Sequence, residues 1–309
     1  MKSTVFRLGV LLTWAVQGQV EVELRCPQKR FLPSESIPLS VRISNLTGAP
    51  LTLGQWPGWL NFSVEKVPSG VAKRIGDVSD SGSFTLEQST VGTIKYDLSP
   101  IFEIDQMGTY RVTATVTPVE GGVSFTSAQW SFEVINGTRI EDRTFGFTLE
   151  DGTVEQRKYI LQQANYLKQV QLYLRVTDST ESRTYKVVGL GGVVSFKRPE
   201  FLIDRKSQFH ILHQYSATEY RYHVINPDGV IVSREVRQSS DRRPQLRVND
   251  EGVVAVIGGV RRLDKSDIPP PTEADWKAAR DAEIAAAMAV ARAVEASATN
   301  ATSKPKKSK

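Results

Sequence analysis

The chain has 309 residues, of which 40 % are hydrophobic and 24 % charged, with a formal charge of +5. That balance excludes global disorder and supplies enough apolar material for two cores. The charge is peripheral: Lys2 and Arg7 carry +2, the run from Lys304 to Lys309 carries +4, and segment 272–297 carries −2, so the body from 19 to 271 is close to neutral. A folded nucleic-acid-binding surface, which needs a concentrated basic footprint, is therefore not expected.

The first eighteen residues combine a short basic start with the uncharged run Leu8–Val16 (LGVLLTWAV) and Val16-Gln17-Gly18. This is the three-part pattern of a secretory signal peptide, 1–18, cleaved after Gly18. It implies a secreted or periplasmic protein. No later run reaches the ~18 uncharged apolar residues of a membrane span. Cys26 is the only cysteine, so the domains have no internal disulfide and depend on apolar packing. Arg25 stands where lipidation of Cys26 would need a small residue, which leaves the thiol half-buried on the first strand.

Residues 19–137 read as short alternating strands between Gly, Pro, Asn and Ser turns. Val20–Leu24 alternates, and so does Ile37–Ser44, with Leu39, Val41 and Ile43 on one face. Asp105-Gln106-Met107-Gly108 precedes Tyr110 and the alternating strand Val112–Val116. This arrangement resembles the tyrosine corner of immunoglobulin-like β-sandwiches, whose Tyr hydroxyl bonds backbone just upstream. Val112, facing Val41 or Ile43, stands where antibody-type domains place a disulfide. The resemblance to a bacterial-type immunoglobulin-like domain implies adhesion, spacing or partner binding more often than catalysis. Trp56 and Trp59, on a Pro/Gly-bent loop, suit stacking on a sugar or peptide, or else cap the open end of the core.

Polar residues Thr138–Arg143 read as a hinge into a second unit, 138–265, expected as an antiparallel β-rich domain. Alternating segments at Val170–Val176, Tyr185–Val188, Phe209–Tyr215, Tyr220–Ile225 and Val230–Val236 supply its strands, and Asn226-Pro227-Asp228-Gly229 a hairpin turn. Val187–Val193 and Val253–Val260 resemble each other at an offset of 67 residues between Gly191 and Gly258. The meander is similar to a β-propeller blade, although fewer than three repeats cannot close a propeller.

All three histidines, His210, His213 and His223, lie in this unit. H-x-x-H on a strand puts two rings on opposite faces, while His213 and His223 can meet across neighbouring strands. Convergence of all three would be needed for a metal site; ordinary packing is the simpler reading, and no cofactor is expected. The arginines from Arg234 to Arg262, with Arg242 and Arg243 at their centre, suit anionic groups of an envelope polymer, or serve as charges that protect strand edges.

A Pro-rich linker (266–271), an Ala-rich helix (272–297) with Trp276 as its anchor, and a disordered basic tail (298–309) complete the chain. Asn45, Asn61, Asn136 and Asn300 sit in N-x-S/T triplets, glycan acceptors only in a eukaryotic secretory route. No spacing demands acid/base or nucleophilic chemistry. The expected fold is mainly β, and the expected function is non-catalytic binding or scaffolding of an envelope polymer or another exported protein. The competing readings are a metal-dependent enzyme using His210, His213 and His223, and a protease-inhibitor-like module.

Overall fold

The computed structural model describes residues 20–79, 82–149, 152–166, 169–194, 197–250 and 252–270. The expected signal peptide (1–18), C-terminal helix (272–297) and basic tail (298–309) lie outside them. The mainly β class holds: among the described residues there are strands and turns but no helix, hence no helix long and apolar enough to cross a membrane. The chain divides into two compact units at Thr138/Arg139.

Unit 1 contains β1 (Val20–Arg25), β2 (Arg30–Phe31), β3 (Pro38–Asn45), β4 (Leu51–Leu53), β5 (Leu60–Val67), β6 (Gly70–Val71), β7 (Phe84–Leu86), β8 (Val91–Asp97), β9 (Gly108–Val116), β10 (Phe125–Thr126) and β11 (Trp130–Val134). One sheet has the order β1-β3-β8; a second runs β2-β11-β9-β5-β6, with β10 against β9. Strand alternation drives the layering. In β3 the even-spaced Leu39, Val41 and Ile43 are fully buried, and they meet Val64 of β5 and Val112 and Ala114 of β9 in one core shared by both sheets. Aliphatic packing thus joins the sheets without a disulfide. Tyr110 O–H donates to the Gln106 carbonyl at 2.8 Å. Cys26 is one residue beyond β1, half-buried and unpaired.

Asn45 is the one polar side chain in the inward row of β3. It is fully buried; its amide nitrogen donates to the carbonyls of Ala49 (2.9 Å) and Leu86 (3.0 Å), and its oxygen accepts from the Thr47 N–H (3.0 Å). It ties the Thr47–Ala49 turn to the end of β7 by satisfying backbone groups of both.

Unit 2 contains β12 (Thr138–Thr148), β13 (Val154–Tyr166), β14 (Gln169–Asp178), β15 (Thr184–Val193), β16 (Glu200–Ile203), β17 (Phe209–Gln214), β18 (Glu219–Ile225), β19 (Ile231–Gln238), β20 (Gln245–Val248), β21 (Val254–Ile257) and β22 (Val260–Arg262). The expected hinge at 138–143 is instead the first half of β12, drawn into the sheet by pairing with β13. Two meanders form, β12-β13-β14-β15 and β16-β17-β18-β19-β22, with β20-β21 as a separate hairpin. Asn226–Gly229 makes the β18–β19 turn: Gly229 has φ +78°, and its N–H donates to the Asn226 carbonyl. The two Val/Gly-rich segments are not equivalent. Val187–Val193 lies in the edge strand β15, whereas Val254–Val260 spans β21, a turn and β22.

Tyr159, Leu161, Leu172 and Leu174 of the first meander share a core with Phe209, Ile211 and Ile225 of the second. On the opposite face of the second meander, Leu212, Tyr220, Tyr222 and Val224 pack against Leu246 and Val254 of the hairpin. All six residues of β17 are consequently buried. Arg157 pins the Asn226–Gly229 turn: its guanidinium reaches Asp228 at 2.7 Å and the Pro227 carbonyl at 2.9 Å, over the rings of Phe147 and Tyr185.

Asn45→Ala leaves the buried Leu86 carbonyl without this donor and is expected to destabilise unit 1 by about 1–3 kcal/mol in denaturant unfolding. The same burial makes a glycan on Asn45 incompatible with the fold. Protein purified folded from a eukaryotic secretory host is expected to carry none there by peptide mapping, whereas Asn61 and Asn136 are exposed.

Candidate functional site

Burial of the second meander on both faces forces each polar side chain of β17 and β18 to find partners inside the fold or to go without. His210, His213 and His223 do not converge. His210 shares the hairpin-facing row with Leu212 and Tyr222; His213 and His223 lie in the opposite row, toward the first meander. No group of three or more metal-ligating side chains exists among the described residues.

His210 is held from both ends. The turn after β16 places Asp204 so that its Oδ1 accepts the N–H groups of Lys206 (2.9 Å) and Gln208 (2.8 Å), while Oδ2 lies 3.1 Å from His210 Nε2. A carboxylate only accepts, so the network assigns the imidazole proton to Nε2. His210 Nδ1 then accepts the Tyr222 O–H at 2.7 Å. Burial lowers the His210 pKa, against the opposing pull of Asp204. Burial also raises that of the Tyr222 phenol well above its usual value, with Glu235 adding to the rise. The chain Asp204–His210–Tyr222 therefore stays in one protonation pattern. Glu235, directly across from Tyr222 on β19, accepts from Arg237 (3.1 Å) and lies 3.6 Å from Arg261.

Above this network is a cleft of about 390 Å³, with His210, Tyr222, Glu235 and Arg237 on the sheet side and Val254, Ala255 and Val256 of β21 on the other. A concave site of this size with apolar walls and a few fixed polar groups suits a small ligand or a short segment of chain. The sequence places Tyr222 on the alternating strand Tyr220–Ile225 and gives Asp204 no motif of its own. The available signal was parity: His210 and Tyr222 share a face once β17 and β18 are paired in register.

The other candidates fall elsewhere. Trp59 is 5 % exposed and packs edge-on against Phe84, while Trp56 is half-buried and donates its indole N–H to the Thr117 carbonyl at 3.0 Å. Both border a second cleft of about 610 Å³ in unit 1, along with Asn61, Arg74 and Asp77; Arg74 bonds both Asn61 and Asp77. Arg243 pairs with Glu200 at 3.0 Å, and the backbone carbonyl of the exposed Arg242 accepts from the Gly259 N–H. Arg237 and Arg261 are paired with Glu235. The guanidinium groups of Arg237, Arg243 and Arg261 are thus paired with acids, while the Arg242 side chain is exposed.

His213 and His223 stack at 5.7 Å between ring centroids and are 1 % and 2 % exposed. Neither His213 nitrogen, nor His223 Nδ1, makes a well-formed hydrogen bond. Arg221 and Arg234 are the neighbouring cations.

No protein-family model matches this chain, and no curated protein matches it.

Burial, then Arg221, brings the His213 pKa from 6.5 down to about 4; burial, His213, Arg234 and Arg221 push that of His223 down as well. Between these values the unfolded imidazoles bind protons and the folded ones do not. Unit 2 accordingly loses stability as pH falls from 6.5 toward 4, on the order of 3 kcal/mol for His213 alone. Unit 1 has the opposite sign. Burial lifts Glu35 from 4.5 to about 7 against donors from Leu32 and Gln28, so its folded form holds a proton that the unfolded form lacks between those values. Acidification from pH 7 to 4.5 is expected to lower the melting transition of unit 2 relative to that of unit 1 in calorimetry. His213→Phe should flatten the response of unit 2.

Proposed function

We propose that this is an exported, non-catalytic binding protein of the periplasm or extracellular space, with its ligand seat in the cleft of unit 2 between β21 and the His210–Tyr222 face. The observation that carries the reading is a cleft of about 390 Å³ against a polar chain, Asp204–His210–Tyr222, in which both ring nitrogens of His210 are already engaged. Tyr222 and His210 are only 8 % and 6 % exposed, and burial holds the Tyr222 phenol protonated well above its usual range, which disfavours its use as a nucleophile or base. The wall is suited to hold shape and polarity. Export rests on the basic start and the apolar run Leu8–Val16.

For unit 1 we propose an immunoglobulin-like β-sandwich. Support comes from the two strand orders, from the parallel pairing of β2 with the last strand β11, and from the bond between Tyr110 and Gln106.

Three measurements test the reading. In thermal-shift screening of a small-molecule and peptide library, hits that stabilise unit 2 are expected to lose their effect in Val232→Trp, which fills the cleft. Turnover of an ester, phosphoester or glycoside that disappears in His210→Ala would overturn the non-catalytic assignment. N-terminal sequencing of exported protein is expected to begin at Gln19.

A further inference from the structure

The cleft has a feature that narrows its ligand class. Among the described residues β21 pairs only with β20, and its other edge lines the cleft. Val254, Ala255 and Val256 all border the cleft although they are consecutive; since successive side chains of a strand point to opposite faces, three in a row share one cavity through the strand edge. Register fixes which groups that edge presents. The Leu246 N–H donates to Glu200 Oε2 at 3.0 Å, so it points away from β21. Leu246 is opposite Val256, and Val248 is opposite Val254. In an antiparallel ladder, opposed residues direct their N–H and C=O groups either both inward or both outward, alternating along the pair. Val254 and Val256 therefore aim amide and carbonyl groups away from β20. Among the described residues these groups have no hydrogen-bond partner.

Resting on the reading of this cleft as a ligand seat, we propose that the ligand is an extended peptide segment of a partner protein, which adds as a strand to β21. Two N–H/C=O pairs separated by two residues, about 7 Å, match the repeat of an extended chain. A strand paired to β21 would direct one row of side chains toward Val224 and Tyr222 and the other outward. The edge is also unguarded. β21 reads Val-Ala-Val-Ile, with no charge and no proline, whereas the edge strand β22 carries Arg261 and Arg262. Pro270 of the chain's own continuation borders the cleft, but Pro269, Pro270 and Pro271 lack the N–H groups a ladder needs, so this stretch cannot itself pair with β21 as a strand.

The test uses the full chain and a capped octapeptide alternating valine and threonine, with residue-resolved amide exchange as the readout. In the free protein the Val254 and Val256 amides are expected to exchange at least 100-fold faster than that of Ala255. Peptide should slow both by tenfold or more. Val256→Pro removes one outward N–H without touching the Ala255 pairing, and should abolish this protection. Should that variant disturb the hairpin, seen as faster exchange at Ala255, the same question goes to the peptide: N-methylation of alternate residues, in either register, must abolish binding in one register and spare it in the other. Strand addition is overturned if both valine amides are already slow in the free chain, if the octapeptide protects neither, or if both N-methylated peptides bind as well as the parent. Small-molecule hits that vanish in Val232→Trp, together with failure of the octapeptide, would retain the cleft as a binding site and remove strand addition.

Discussion

Burial of the β16–β19 meander on both faces is the constraint from which the rest of unit 2 follows. One face is needed to close the core against β12–β15; the other is covered by the β20–β21 hairpin. A strand in that position cannot sort its residues into wet and dry rows, so the polar members of β17 and β18 must be accommodated inside. The two rows solve this differently. His210 is fully engaged, from Asp204 on one side to Tyr222 on the other. His213 and His223 are stacked, with both His213 nitrogens and His223 Nδ1 left without well-formed bonds. An unpartnered neutral imidazole inside costs less than a charged one, and the depressed basicity of this pair is the record of that cost.

Much of unit 1 was legible because one of its faces is wet. Leu39, Val41 and Ile43 alternate with polar residues, and the period alone sorts them. The bond of Tyr110 to upstream backbone was visible for a similar reason: a local turn and a strand start specify it within a few residues. Asn45 was not, since its role depends on carbonyls at Leu86 and Glu87, some forty residues away. The triplet around it suggests an acceptor at the surface, yet tertiary contact buries it.

In unit 2 the turns and most strands could be read, the Asn226–Gly229 hairpin best of all. The candidate site could not. Phe-His-Ile-Leu-His-Gln has the same appearance whether one or both faces are covered, and nothing in Gln245–Ile257 announces that this hairpin is the cover. Thr138–Arg143 looked like a hinge because it is polar, yet strand pairing needs only backbone. The two readings of the arginine cluster could not be separated in sequence because acids distant along the chain, Glu200 and Asp267, do not show as partners of Arg243 and Arg261 until it is folded.

The parallel seam of β2 and β11 has a mechanical consequence. Arg30 and Phe31 are near the beginning of unit 1, and Glu133 and Val134 near its end. Backbone bonds from Glu133 to Lys29 and from Ile135 to Phe31 join them, reinforced by the 3.0 Å pair between Arg30 and Glu133. When two parallel strands are drawn by opposite ends of a chain, the load runs along them, and the bonds between them must rupture together. Tension applied through the ends of this unit therefore meets a shear clasp, a geometry that resists force far better than one that peels open bond by bond.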